Sequence, residues 1–136
     1  MRILIIEDEP SNQYYLQAIL APYGDVDVAI DGVQGLEMFK GAASEGRPYG
    51  IALIDVALPT MDGREVTMRI RALEDGLDSV KNSVIILNSA NVFSGDIEKA
   101  KSCGGDLFLE KPFTPDQLNG FLQECGFERG KLLKRG

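Results

Sequence analysis

Three acidic positions and one lysine stand directly after short apolar runs. Ile3-Leu4-Ile5-Ile6 leads into Glu7-Asp8, Ile51-Ala52-Leu53-Ile54 into Asp55, and Leu107-Phe108-Leu109 into Glu110-Lys111-Pro112. If these runs are parallel strands, their carboxyl ends gather three carboxylates and one ammonium at a single edge. Carboxylates placed together repel one another, so a cation is expected among them. Mg²⁺ takes oxygen ligands in octahedral geometry at about 2.0–2.1 Å and usually keeps some water. Asp8 and Asp55 offer direct carboxylate oxygens, and the longer Glu7 could hold a bound water. A phosphoryl group arriving on an aspartate brings charged oxygens that the metal and Lys111 would neutralise. Ser89, just beyond the run Val84 to Leu87, adds a hydroxyl donor. The chemistry these residues suit is Mg²⁺-dependent phosphoryl acceptance.

Taken singly, each residue has an ordinary explanation. Glu7-Asp8 could complement a helix dipole, Lys111 could be a solvated charge, and Ser89 could bond to nearby backbone. Their joint appearance at successive strand ends is what those explanations do not cover.

The elements that must position them alternate along the chain. The continuous apolar runs read as strands buried on both faces. Pro10 suits the first turn of a helix, and Tyr15, Leu16, Ile19, Leu20 and Tyr23 repeat at helical spacing before Gly24. Val26 to Ile30 reads as a second strand, and Val33, Leu36, Met38 and Phe39 mark a second helix after Asp31-Gly32. The third strand is 51–55. Val66, Met68, Ile70 and Leu73 support a third helix that stops at Gly76, followed by a polar, extended connection to residue 83. The fourth strand is Val84 to Leu87, and a short fourth helix falls around Ile97, Ala100 and Lys101. Residues 107–110 form the fifth strand. Thr114-Pro115 then caps a last helix running to about Cys125, with Gly126 as its stop. Five strands alternating with five helices predict an α/β fold, one parallel sheet covered on both faces. Right-handed crossovers place every strand's carboxyl end on the same edge.

Composition sets the bounds. The 136 residues suit one domain with a real core, and 44% hydrophobic content argues against disorder. Fourteen basic against 21 acidic residues give a net charge of −7, which argues against direct DNA binding. The chain has no histidine, hence no imidazole general base or metal ligand. Cys103 and Cys125 lack metal-ligand spacing and read as buried small hydrophobes. No signal peptide and no membrane span is evident, so a soluble cytoplasmic protein is expected.

The chain resembles the receiver domains of bacterial response regulators, the chemotaxis-type phospho-acceptors. The resemblance rests on ILIIEDEP at the start, LIDVALPTMDG around Asp55, the pair Ser89-Ala90 and the segment LEKPF around Lys111. It implies the flavodoxin-like (βα)5 fold over residues 1–126, followed by a basic tail at 127–136. It implies that Asp55 is phosphorylated and that Glu7, Asp8, Asp55 and the backbone carbonyl of Ala57 serve Mg²⁺. It further implies that Lys111 and Ser89 contact the phosphoryl group and that the Lys111-Pro112 peptide is cis. Ser89 and Phe108 would be the switch pair. Glu7 stands where aspartate is commoner, Ser89 where threonine is, and Phe108 where tyrosine is.

A stand-alone phosphorylation switch follows, supplied by a histidine kinase or a histidine phosphotransfer protein and working through contacts with a target protein. Only self-phosphorylation from a phosphodonor and self-dephosphorylation are expected of it, not turnover of a substrate. The alternative is a Mg²⁺-dependent aspartate-nucleophile phosphohydrolase, which generally carries its nucleophile on the first-strand loop under a cap. Here the candidate nucleophile ends the third strand. A flavodoxin-like cofactor binder would need a phosphate loop where Glu7-Asp8-Glu9 would repel phosphate.

Overall fold

The computed structural model describes residues 1–76, 82–90 and 102–128. Five strands run parallel in one sheet: β1 (Arg2–Ile6), β2 (Asp25–Ala29), β3 (Ile51–Asp55), β4 (Val84–Ser89) and β5 (Leu107–Glu110). Their order is β2-β1-β3-β4-β5, which puts β3 at the centre with β1 and β4 on either side. The described helices are α1 (Pro10–Leu20), α2 (Gly32–Ser44), α3 (Gly63–Asp75) and α4 (Pro115–Glu124). The helix expected around Ile97 to Lys101, residues 77–81 of the connection after α3, and the basic segment from 129 onward lie outside the described residues.

The apolar runs are continuous because both faces of the sheet are covered. Leu4 and Ile6 face one side, where Ala52, Ile54, Ile85 and Leu87 join them beneath α2 and α3. Ile3 and Ile5 face the other, with Ile51, Leu53 and Ile86 beneath α1 and α4. The four apolar β1 side chains, Ile3 to Ile6, are fully buried, each contributing about 1.5–3 kcal/mol.

The helices begin where the sequence supplies caps. Asp31 accepts from the Gln34 amide at 2.8 Å and Asp62 from the Arg64 amide at 2.7 Å. At α4 the Thr114 hydroxyl accepts from the Gln117 amide at 3.2 Å, while the Gln117 side chain accepts from the Thr114 amide at 2.8 Å. That reciprocal pair is a capping box, and Gly126 beyond the helix has φ +91°, a conformation glycine adopts without strain.

Three details differ from the sequence reading. The helical spacing through Tyr23 splits into α1 and a short 3-10 turn, Ala21–Tyr23, because Pro22 has no amide to continue the α-helical ladder. Strand β4 does not stop at Leu87: Asn88 pairs with Asp55 and Leu109, and Ser89 with Glu110, so the ladder carries two polar residues to the sheet edge. Cys103 is buried as expected, but Cys125 is exposed, since it caps the outer end of α4 rather than facing the sheet. Beyond Gly126, Phe127 still packs against the cluster beneath α1 and α4, and its amide donates to the Leu122 carbonyl at 2.9 Å.

Candidate functional site

The carboxyl ends of β1, β3, β4 and β5 meet at one edge, and backbone hydrogen bonds extend the ladder one step past the strands. The Glu7 amide donates to the Ala29 carbonyl at 3.0 Å, Val56 to Asn88 at 2.9 Å and Lys111 to Ser89 at 2.8 Å. These bonds fix the backbone on which the predicted site residues sit. Gly63 brings α3 against the same edge. Its amide donates to the Val56 carbonyl at 2.9 Å, and a Cβ there would lie 2.2 Å from the Asp55 carbonyl oxygen. Only glycine permits that approach.

Glu7, Asp8 and Asp55 each offer a carboxylate oxygen within 4.8 Å of the others. Glu7 and Asp55 are buried and Asp8 is exposed. The Lys111 ammonium donates to Glu7 Oε1 and to Asp55 Oδ2, both at 3.2 Å. The other Asp55 oxygen, Oδ1, accepts from the Ala57 amide at 3.0 Å, which holds Ala57, the expected carbonyl ligand, beside Asp55. Glu7 Oε2 accepts from the Glu9 amide at 3.2 Å. Ser89 is buried at the end of β4, and Phe108 is partly buried against the cluster beneath α2 and α3. The Lys111-Pro112 peptide is cis.

The electrostatics show one cation shared by too many anions. Burial and then the Asp55 charge push the Glu7 carboxyl above its ordinary range, and Lys111 offsets this only in part. Burial pulls the Lys111 ammonium down, but the attraction of Asp55 and Glu7 outweighs it and the net shift is upward. Three hard oxygen donors with one ammonium between them are a donor set that suits Mg²⁺. The residues present therefore fit the ion.

Some supporting residues were not legible as such in the sequence. Gln13 Nε2 donates to the Glu7 carbonyl at 2.7 Å and so braces the turn after β1. Tyr15, read as part of a helical face, donates its hydroxyl to the Phe113 carbonyl at 2.7 Å, tying α1 to the loop that carries Lys111. Nothing in spacing alone points to either contact, because both span from a helix to a loop. Beside them an open groove of about 620 Å³ runs from Glu7 and Lys111 past Tyr15, Leu16, Ala90 and Phe113.

The fold and this edge define a phospho-acceptor class of α/β domain, and comparison with known proteins gives the family. The chain belongs to the response regulator receiver domain family, whose model it matches over residues 3–123. It is 36% identical over 125 residues to the sensor protein EvgS of Escherichia coli K12, covering 91% of this chain but only 10% of EvgS. The receiver domain of sensor histidine kinase PA1611 from Pseudomonas aeruginosa is 35% identical with a TM-score of 0.72, over 90% of this chain and 94% of that one. That structure holds a magnesium ion in its active-site cleft. The receiver domain of Saccharomyces cerevisiae Ssk1, solved with the histidine phosphotransfer protein Ypd1, is 25% identical with a TM-score of 0.76, over 91% of this chain and 87% of that one. Among the described residues no helix is long and apolar enough to cross a membrane.

Proposed function

We propose that this chain is a phosphorylation-dependent switch that accepts a phosphoryl group on Asp55. The observation that carries the reading is the Lys111 ammonium held between Asp55 Oδ2 and Glu7 Oε1 at the central edge of the sheet. A carboxylate with a cation at its oxygen, beside two further acids, is equipped to receive a charged group and to balance it. Glu7, Asp8, Asp55 and the Ala57 carbonyl would hold Mg²⁺, as the magnesium-bound relative PA1611 suggests. When the ion is bound, part of the charge on the phosphoryl oxygens is neutralised.

The protein's own residues do the rest. An Asp55 oxygen attacks the phosphorus of a phosphohistidine, the new O–P bond forms as the N–P bond breaks, and the imidazole leaves. Lys111 follows the charge from the carboxylate to the phosphoryl oxygens. Ser89, on the neighbouring strand, would donate its hydroxyl to one of those oxygens. The half-buried Phe108 ring would then move into the space Ser89 leaves, changing the surface that a target protein meets. The donor would be a histidine kinase or a histidine phosphotransfer protein, a reading supported by the Ssk1–Ypd1 complex. The groove beside Glu7 and Lys111 is open space against which such a donor would rest.

Incubation with radiolabelled histidine phosphotransfer proteins and kinases tests this. Transfer of label to the wild type and none to Asp55→Asn is expected. Label that stays on every donor would count against the switch.

A further inference from the structure

Asn88 is fully buried, and neither its Nδ2 nor its Oδ1 has a hydrogen-bond partner among the described residues. Burying a carboxamide removes water from both polar ends, and folded proteins rarely leave that cost unmet. The strand leading up to it avoids the problem by being apolar: Ile85, Ile86 and Leu87 precede it. An amide at this position therefore asks for an explanation.

Its place in the sheet supplies one. Asn88 stands in register with Asp55 on β3 and with Leu109 on β5. Register partners in a parallel sheet project to the same face. Ile86, two residues earlier, and Leu109 both belong to the cluster beneath α1 and α4. The carboxamide thus lies in the same row as the Asp55 carboxylate, between it and the strand that leads to Lys111.

In the resting arrangement the Asp55 oxygens have other donors: the Ala57 amide on Oδ1 at 3.0 Å and the Lys111 ammonium on Oδ2 at 3.2 Å. Phosphorylation removes one of those arrangements. One carboxyl oxygen becomes the bridge to phosphorus, and the phosphoryl oxygens draw the Lys111 ammonium toward themselves. If Oδ1 forms the bridge, Oδ2 has lost the Lys111 ammonium, and with Mg²⁺ on one of its two lone pairs the other is left for a donor.

We infer that Asn88 is a positioning residue of the acceptor site, whose Nδ2–H donates to the Asp55 carboxyl once the phosphoryl group has drawn Lys111 away. The unmet amide raises the free energy of the resting state, and loading the site relieves it. The inference rests on Asp55 being the acceptor.

Two measurements on the full chain test it, with Mg²⁺ and beryllofluoride as the loading probe. In ¹⁵N-labelled wild type the Asn88 side-chain amide protons should move downfield on loading, as they gain an acceptor. In Asn88→Leu the melting temperature in chelator should rise, because the unmet amide is gone, while the further rise on loading should be smaller than in the wild type. Asn88 resonances that stay in place on a protein that has loaded, or a loading increment in Asn88→Leu equal to that of the wild type, would overturn the assignment and leave the acceptor reading standing. A wild type that takes up no beryllofluoride would overturn the acceptor reading and this inference with it.

Discussion

The Lys111 ammonium lies 3.2 Å from Asp55 Oδ2 and 3.2 Å from Glu7 Oε1, a single cation held between two buried carboxylates. The pairing serves both as stabilisation and as competition: the ammonium offsets their repulsion while occupying the space and charge that a metal ion would use.

Lys111→Ala should separate those two effects. Without the ammonium, Glu7 and Asp55 face each other unbalanced, and the resting fold should lose about 3–5 kcal/mol in chelator. Mg²⁺ affinity should be unchanged or higher, since its competitor is gone. Calorimetric titration of Mg²⁺ and thermal melts with and without the ion check both parts. A tenfold or greater loss of Mg²⁺ affinity would show that Lys111 supports the metal rather than competing with it.

Gly63 sets the distance between α3 and the end of β3. A Cβ at this position would meet the Asp55 carbonyl oxygen at 2.2 Å and its carbon at 2.9 Å. Backbone cannot step aside as a flexible side chain can, so Gly63→Ala must push α3 outward. Urea denaturation should show a loss on the order of 1–3 kcal/mol, together with slower phosphorylation of Asp55. Gly41, where a Cβ would meet nothing within 4 Å, is the control: Gly41→Ala should be neutral or slightly stabilising.

Tyr49 gives the fold an alkaline limit far from the site. Its hydroxyl donates to Asp27 Oδ2 at 2.7 Å, and its ring lies under the Arg2 guanidinium, 4.9 Å from the centroid. Burial, then the bond to Asp27 and its charge, push the phenol up to about 12. The unfolded phenol titrates near ~10, so the folded state holds its proton more tightly. The stability from this difference is fully present below pH ~10 and is lost as pH rises toward about 12. It amounts to on the order of 2 kcal/mol. Tyr49→Phe should flatten the stability profile in that window. An equally steep decline in the variant would assign the alkaline loss to other groups.

Much of this architecture was legible in the sequence because few local signals conflicted. The apolar runs ending in Glu7, Asp55 and Lys111 are short, continuous and closed by charge, which a sheet covered on both faces requires. Thr114-Pro115 and Gly126 mark α4 at both ends. Polarity and position disagree at the end of β4. Asn88 looked like the end of a strand because an amide interrupts an apolar pattern, yet the ladder to Asp55 and Leu109 carries β4 through it. Strand order was not readable, since it depends on which crossovers pass which face. The bracing contacts of Gln13 and Tyr15 were equally hidden, because each joins a helix to a loop distant along the chain or across a turn.

On the proposed reading Asp55 accepts a phosphoryl group and needs Mg²⁺ to do so. Intact-mass spectrometry after incubation with acetyl phosphate tests it most directly. The wild type in Mg²⁺ should gain the mass of one phosphoryl group, whereas Asp55→Asn in Mg²⁺ and the wild type in chelator should gain none. Uptake by Asp55→Asn would place the phosphoryl group on another residue, and undiminished uptake by the wild type in chelator would show that no metal ion is needed.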